Sequence, residues 1–342
     1  MSRDFNKGLF MIVGLSALLF LAGIILLPGI GPTYADEARG VAEPAEAPAP
    51  AVTHNTWTTG TALPTPVEAP QAAVVKGEIY LVGGQNASGV LVADTQIYNP
   101  VTNSWSTGVP LPTALSGGTA AVVKNVLYVI GGSEDGTTCT NAVWAYNPKT
   151  KTWSAKAAMP TARCSIGAAV EKNIIYVVGG GADGSRLATV ESYNPATNTW
   201  TEETPLLVAK SEPSVGLVGT TIVAADGYTA SGDNGDSEGY NATTNAWTTF
   251  KSDPTSRNAA CGAGIGGYMY VAGGYPGGGP GTPALSLTES FKVSKNTWKT
   301  LAPMPQAAMF AAPAVYKGRL YCLGGGSSYQ GTVLGTVQIY QP

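Results

Sequence analysis

Charge is scarce in this chain. Asp, Glu, Lys and Arg make up 12% of its 342 residues, about half the usual share, and the net charge is only -3. There is no basic tract and no acidic tail, so the electrostatic basis for a nucleic-acid partner is missing and none is expected. Histidine is rarer still, with His54 the single copy. The four cysteines, Cys139, Cys164, Cys261 and Cys322, show no Cys-x-x-Cys spacing. With no histidine cluster near them, a zinc site is not expected, nor is any other metal or cofactor.

Glycine and proline are plentiful instead, at 44 and 24 residues, which favours turn-rich β structure over helix. The N-terminus is a separate element. Arg3 and Lys7 precede an uncharged run in which Leu9 to Leu27 is long enough to cross a bilayer as a helix. Positive charge before the run and little after it predicts a cytoplasmic N-terminus with the rest outside. Residues 1–35 therefore read as a cytoplasmic stub with a transmembrane signal anchor, or as a signal peptide cut after Thr33-Tyr34-Ala35. Either route exports the remainder, membrane-anchored through residues 9–27 or secreted. Residues 36–52 form a Pro/Ala-rich linker, and 53–342 are the folded part.

That folded part is an internal repeat. Gly-Gly pairs end at Gly84, Gly132, Gly180, Gly274 and Gly325, with Asp226-Gly227 in the fourth place, and tryptophans stand at 57, 105, 153, 200, 247 and 298. Each of these tryptophans lies 27 residues before the second glycine of the next unit, six times out of six. Seven residues before the tryptophans come Tyr98, Tyr146, Tyr193, Tyr240 and Phe291. Two apolar runs joined by a two-residue turn such as Lys76-Gly77 lead into the glycines, the pattern of a tight β-hairpin. A second hairpin carries the Tyr and the Trp, so each unit predicts four antiparallel strands, a to d.

Paired glycines after an apolar strand, then Tyr and Trp seven apart, resemble the kelch repeat. The resemblance covers Thr53 to Pro342 and implies an all-β, six-bladed kelch β-propeller. The sixth unit ends at Tyr340-Gln341-Pro342 before any tryptophan strand, while Thr53 to Trp57 is such a strand without its hairpin. The N-terminal strand, residues 53–57, is expected to close the last blade. His54 then falls on an exposed turn as a solvated structural residue. The fourth unit, with Asp226 for glycine and with Gly216 and Gly219 in its first hairpin, is expected to be looser.

Length variation is confined to the b to c loops, which share a face with the d to a connections, so this face is the candidate site. Ten residues after successive tryptophans lie Arg163, Lys210 and Arg257, an apparent basic arc at the channel mouth suited to an anionic ligand. Tyr228, Tyr275 and Tyr329 on the same loops offer aromatic platforms. Neighbouring carboxylates, Glu134, Asp135, Asp183, Asp233, Asp236 and Glu238, allow the opposite reading, in which the arc merely forms ion pairs. The acidic stretch from Asp226 to Glu238 lacks the spacing of a calcium loop. Cys139 and Cys164, on adjacent units, are candidates for a disulfide, whereas Cys261 and Cys322 read as buried core residues.

Three functions remain open. The kelch resemblance implies a monomeric interaction module taking a protein, peptide or glycan. It also admits an enzyme, because six-bladed bacterial kelch proteins include sialic acid mutarotases. Galactose oxidase chemistry is excluded by the shortage of histidine ligands. A structural envelope role is the third.

Overall fold

The computed structural model describes residues 54–342; the expected N-terminal helix and the linker lie outside the described residues. Among the described residues no helix is long and apolar enough to cross a membrane, and the one helical turn is a 3-10 segment at Val293–Lys295.

Six four-stranded antiparallel sheets form the blades of a propeller. The first shows the plan: Gln71–Val75 lies innermost, followed by Glu78–Val82, Thr95–Asn99 and, outermost, Ser104–Thr107. Blade 6 takes its three inner strands from Ala312–Tyr316, Arg319–Leu323 and Val337–Gln341. Its outer strand is the N-terminal Thr56–Thr59, which pairs in register from Thr56 opposite Gln341 to Thr59 opposite Gln338. Closure is therefore as expected, with the strand starting at Thr56. His54 is exposed and its Nδ1 lies 2.6 Å from the Pro342 carbonyl.

Local chemistry explains the hairpins. Lys124-Asn125 and Lys172-Asn173 hold positive φ at both turn positions, as a type I′ turn requires, and Asn tolerates that region well. In blade 4 only Gly219 is positive, which gives a II′ turn, and Ser214–Val218 still pairs fully with Thr221–Ala225. Blade 4 is not frayed, contrary to the expectation from its extra glycines.

The repeated Tyr, Asn and Trp clamp one blade to the one before it, with Lys151 in place of the Asn in blade 2 and Phe291 in place of the Tyr in blade 5. Trp105 Nε1 donates to the Thr61 carbonyl at 2.8 Å while Asn103 Oδ1 accepts from the Thr61 amide at 2.7 Å and from Tyr98 OH at 2.6 Å. The closing strand makes the same clamp: Trp57 Nε1 reaches the Ala302 carbonyl, and Asn55 Oδ1 takes both the Ala302 amide and Tyr340 OH. Between blades, buried apolar residues such as Ile79, Leu81, Tyr98 and Leu323 fill a separate core at each junction.

Candidate functional site

Twelve residues after each blade-defining tryptophan stand Ala69, Gly117, Ser165, Glu212, Ala259 and Phe310, and all six have positive φ. Each donates its amide to the carbonyl of the equivalent residue one blade earlier, from Ser165 to Gly117 at 2.7 Å round to Ala69 on Phe310 at 3.0 Å. The six bonds close a collar around the channel mouth. Five of these residues are not glycine, so the ring holds a backbone conformation that costs each of them energy. Among them Glu212 alone is ionisable.

The collar separates two cavities. Below it runs the central channel, about 570 Å³, lined by the inner strands. Above it, on the loop face, lies a cleft of about 710 Å³. Ser165, Glu212 and Phe310 line both.

The basic arc is corrected by the structure. Arg163, Lys210 and Arg257 are each 0% exposed and turn inward within their own blades. Arg163 donates to Glu191 at 2.8 Å and to the Gly179 and Thr189 carbonyls. Lys210 Nζ sits 3.3 Å from Glu238, and Arg257 is held between Glu289 and Asp253. Their charges are spent on structure and do not face a ligand. A signal for this existed: an acid occurs two residues before the repeat aromatic only in blades 3, 4 and 5, the blades that carry the base. Blades 1, 2 and 6 replace the pair by Val67 with Gln96, Leu115 with Trp144 and Ala308 with Gln338.

The three tyrosines all line the cleft. Tyr275 and Tyr329 stack loosely with centroids 5.5 Å apart, Tyr275 nearly buried at 9% and Tyr329 exposed at 39%. Tyr228 lies under the Arg186 guanidinium, whose carbon is 4.3 Å from the ring centroid. Arg186 was missed in the sequence because it occurs once, on the short hairpin of Gly181–Ala182 and Ser185–Arg186, and repeats in no other blade. Among the described residues it has no carboxylate within ion-pair distance, and its one bond is to its own Gly184 carbonyl.

Glu212, Asp233 and Asn258 also line the cleft, as does Asp183 at the turn of the Arg186 hairpin. Burial pushes the Glu212 carboxyl up to about 7, against the Ser165 hydroxyl bond and the Arg186 charge that favour ionisation. Burial also raises Asp233, whose Oδ1 accepts from the Asn258 amide. The cleft thus joins one available guanidinium, a carboxyl poised to exchange a proton near neutrality, hydrogen-bonding side chains and an open aromatic face. Among the described residues no group of three or more His, Cys, Asp or Glu could hold a metal ion.

The KLHDC2/KLHL20/DRC7 kelch-repeats domain family matches residues 51–226, and the kelch motif matches residues 256–305. The chain belongs to the kelch-repeat family. The solved structure of YjhT superposes on the kelch ring with a TM-score of 0.70 and 16% identity, covering 82% of this chain and 96% of that one. At that identity the likeness concerns the fold alone. No curated protein matches the sequence.

All four cysteines of this kelch chain are paired. Cys139–Cys164 links the b to c loop of blade 2 to the start of blade 3, on the cleft wall. Cys261–Cys322 joins the inner strand of blade 5 to the second strand of blade 6. The second bridge corrects the reading of those residues as plain core. The two residues are buried as expected, but facing strands of neighbouring blades bring them together.

Proposed function

We propose that this kelch propeller binds a carbohydrate bearing one anionic group in its loop-face cleft. The observation that carries the reading is Arg186, a guanidinium without an ion-pair partner among the described residues, packed on Tyr228 beside Glu212, Asp233, Asn258 and the open Tyr329 ring. A carboxylate would take the paired donors of Arg186, hydroxyls would bond to the acids and the amide, and a sugar face would lie on Tyr329. Titration calorimetry of the purified chain against sialic acid, a uronic acid and their neutral analogues tests this. Binding of the acidic sugars that Arg186→Ala weakens at least about tenfold supports it; undiminished binding by that variant, or preference for an acidic peptide, sinks it.

A second reading is an isomerase acting on the same sugars, as in the mutarotases among six-bladed bacterial kelch proteins. It is favoured by Glu212, because a carboxyl near 7 serves both as acid and as base at an anomeric oxygen. Anomer exchange followed by NMR, with Glu212→Gln as control, decides between binding and turnover.

We place the propeller outside the cytoplasm, anchored or released. Two disulfides suit an oxidising compartment and support this placement. Cell fractionation with protease shaving of intact cells tests this; a propeller recovered only from the cytoplasm, with none on the cell surface, in the envelope or in the medium, would refute it.

A further inference from the structure

The first glycine of each repeat pair lies against the next blade. A Cβ at Gly131 or Gly179 would fall 2.6 Å from the carbonyl of Arg163 or Lys210, and that carbonyl also accepts the amide of the pair's second glycine. Blade 4 places Asp226 there, at φ 59, and keeps the bond from the Gly227 amide to the Arg257 carbonyl at 2.9 Å. The Asp226 side chain is 0% exposed, and no N–H or O–H of the described residues reaches either of its oxygens. It faces instead the carboxyl of Asp253, on the connection into blade 5. Two carboxyls are both acceptors, so a hydrogen bond between them requires a proton.

Lys210 and Arg257 also face this pair, and Arg257 is ion-paired to Asp253 itself, but no N–H of either cation reaches Asp226. Lys210 is held by Glu238 and the Asp236 carbonyl, and Arg257 by Glu289, Asp253 and the Thr255 carbonyl. One residue after Asp226 begins the hairpin of Tyr228–Thr229 and Gly232–Asp233, which supplies three cleft residues, Tyr228, Gly232 and Asp233. The Asp253 amide in turn bonds to the Gly235 carbonyl just beyond that hairpin.

We propose that Asp226 and Asp253 share a proton and so form a latch between blades 4 and 5 that fixes the Tyr228–Asp233 hairpin of the cleft. Loss of the proton leaves two buried like charges at the hairpin's base and loosens it. Burial and the neighbouring Asp253 raise the Asp226 carboxyl well above the usual range, in agreement with this. The effect on ligand rests on the proposed binding site; the latch itself does not.

The test compares the full chain with Asp226→Asn, which supplies a donor that does not titrate, and with Asp226→Gly, which restores the repeat residue. All three are built on Glu212→Gln so that this second acid does not contribute. Melting temperature and hydrogen exchange at the Tyr228 and Asn234 amides are measured from pH 4.5 to 8. The latch predicts that the parent loses melting temperature and about tenfold in protection, corrected for intrinsic exchange, as pH rises. Both variants would keep only the smaller slope that Asp233 and the other acids common to all three proteins contribute. Equal pH slopes in parent and variants, or in the parent and whichever variant folds, would overturn it, whether or not any sugar binds.

Discussion

The Glu212 amide donates to the Ser165 carbonyl at 2.7 Å, and the Ser165 hydroxyl lies 3.4 Å from the Glu212 carboxyl. The same two residues therefore close one link of the collar and hold the only acid on it. The acid is fixed where channel and cleft meet, and its titration is coupled to the backbone ring.

That coupling gives a pH dependence. The folded carboxyl, at about 7, binds its proton more tightly than an unfolded one near 4.5. Its stabilising contribution is complete below about 4.5 and is lost as pH rises through about 7. Glu212→Gln should flatten this portion of the melting-temperature profile, read by calorimetry at a series of pH values. If the glycan reading holds, the inflection near 7 in binding or turnover should vanish as well.

Arg186→Ala should weaken binding of an acidic sugar by roughly 10- to 100-fold, the worth of a charge-assisted hydrogen bond, with the melting temperature nearly unchanged. Arg186→Lys should recover only part of the loss, because a single ammonium cannot make the paired contact. Titration calorimetry distinguishes the two variants.

Arg163→Ala should behave in the opposite way. It strands Glu191, a buried carboxylate, and should cost about 3 to 5 kcal/mol in denaturant unfolding. Replacing the whole pair in blade 4 by the residues of blade 1, Lys210→Val with Glu238→Gln, should be far milder than Lys210→Val alone.

Blade 2 offers a stabilising change. Lys151 occupies, at φ 55, the place where Asn103, Asn198 and Asn245 stand in other blades, each bonded to its blade's tyrosine. Lys151→Asn supplies the missing acceptor for Tyr146 and a residue better suited to positive φ. A gain of about 1 kcal/mol in denaturant unfolding is expected.

The Cys261–Cys322 bridge spans 61 residues and ties blade 5 to blade 6 beside the ring closure. Chain-entropy arguments assign such a loop about 4 kcal/mol. Cys261→Ala with Cys322→Ala should lower the unfolding midpoint accordingly, whereas a reducing agent should leave the double variant's remaining sensitivity to Cys139–Cys164 alone.

Much of the fold could be read directly from the residues. Trp57, Trp105 and their equivalents, with the glycines 27 residues later, set blade number, register and the closing strand. The reason is physical: each clamp of Tyr, Asn and Trp is built from residues a few positions apart and acts on the adjacent blade, so the same chemistry recurs at a fixed interval. The residues twelve after each tryptophan were equally regular in position, but Ala69, Gly117, Ser165, Glu212, Ala259 and Phe310 share no side-chain chemistry. Only their common backbone conformation reveals the collar.

The sequence by itself thus determined the ring, its seam and its loop face, because periodic packing leaves a periodic signature. Tertiary structure decided where charge is available. It turned Arg163, Lys210 and Arg257 inward onto glutamates some 28 to 32 residues away, and it brought Arg186 of blade 3 beside Tyr228 of blade 4. It also joined Cys261 to Cys322. Such contacts depend on the direction of single side chains across a blade junction, which spacing along the chain does not specify.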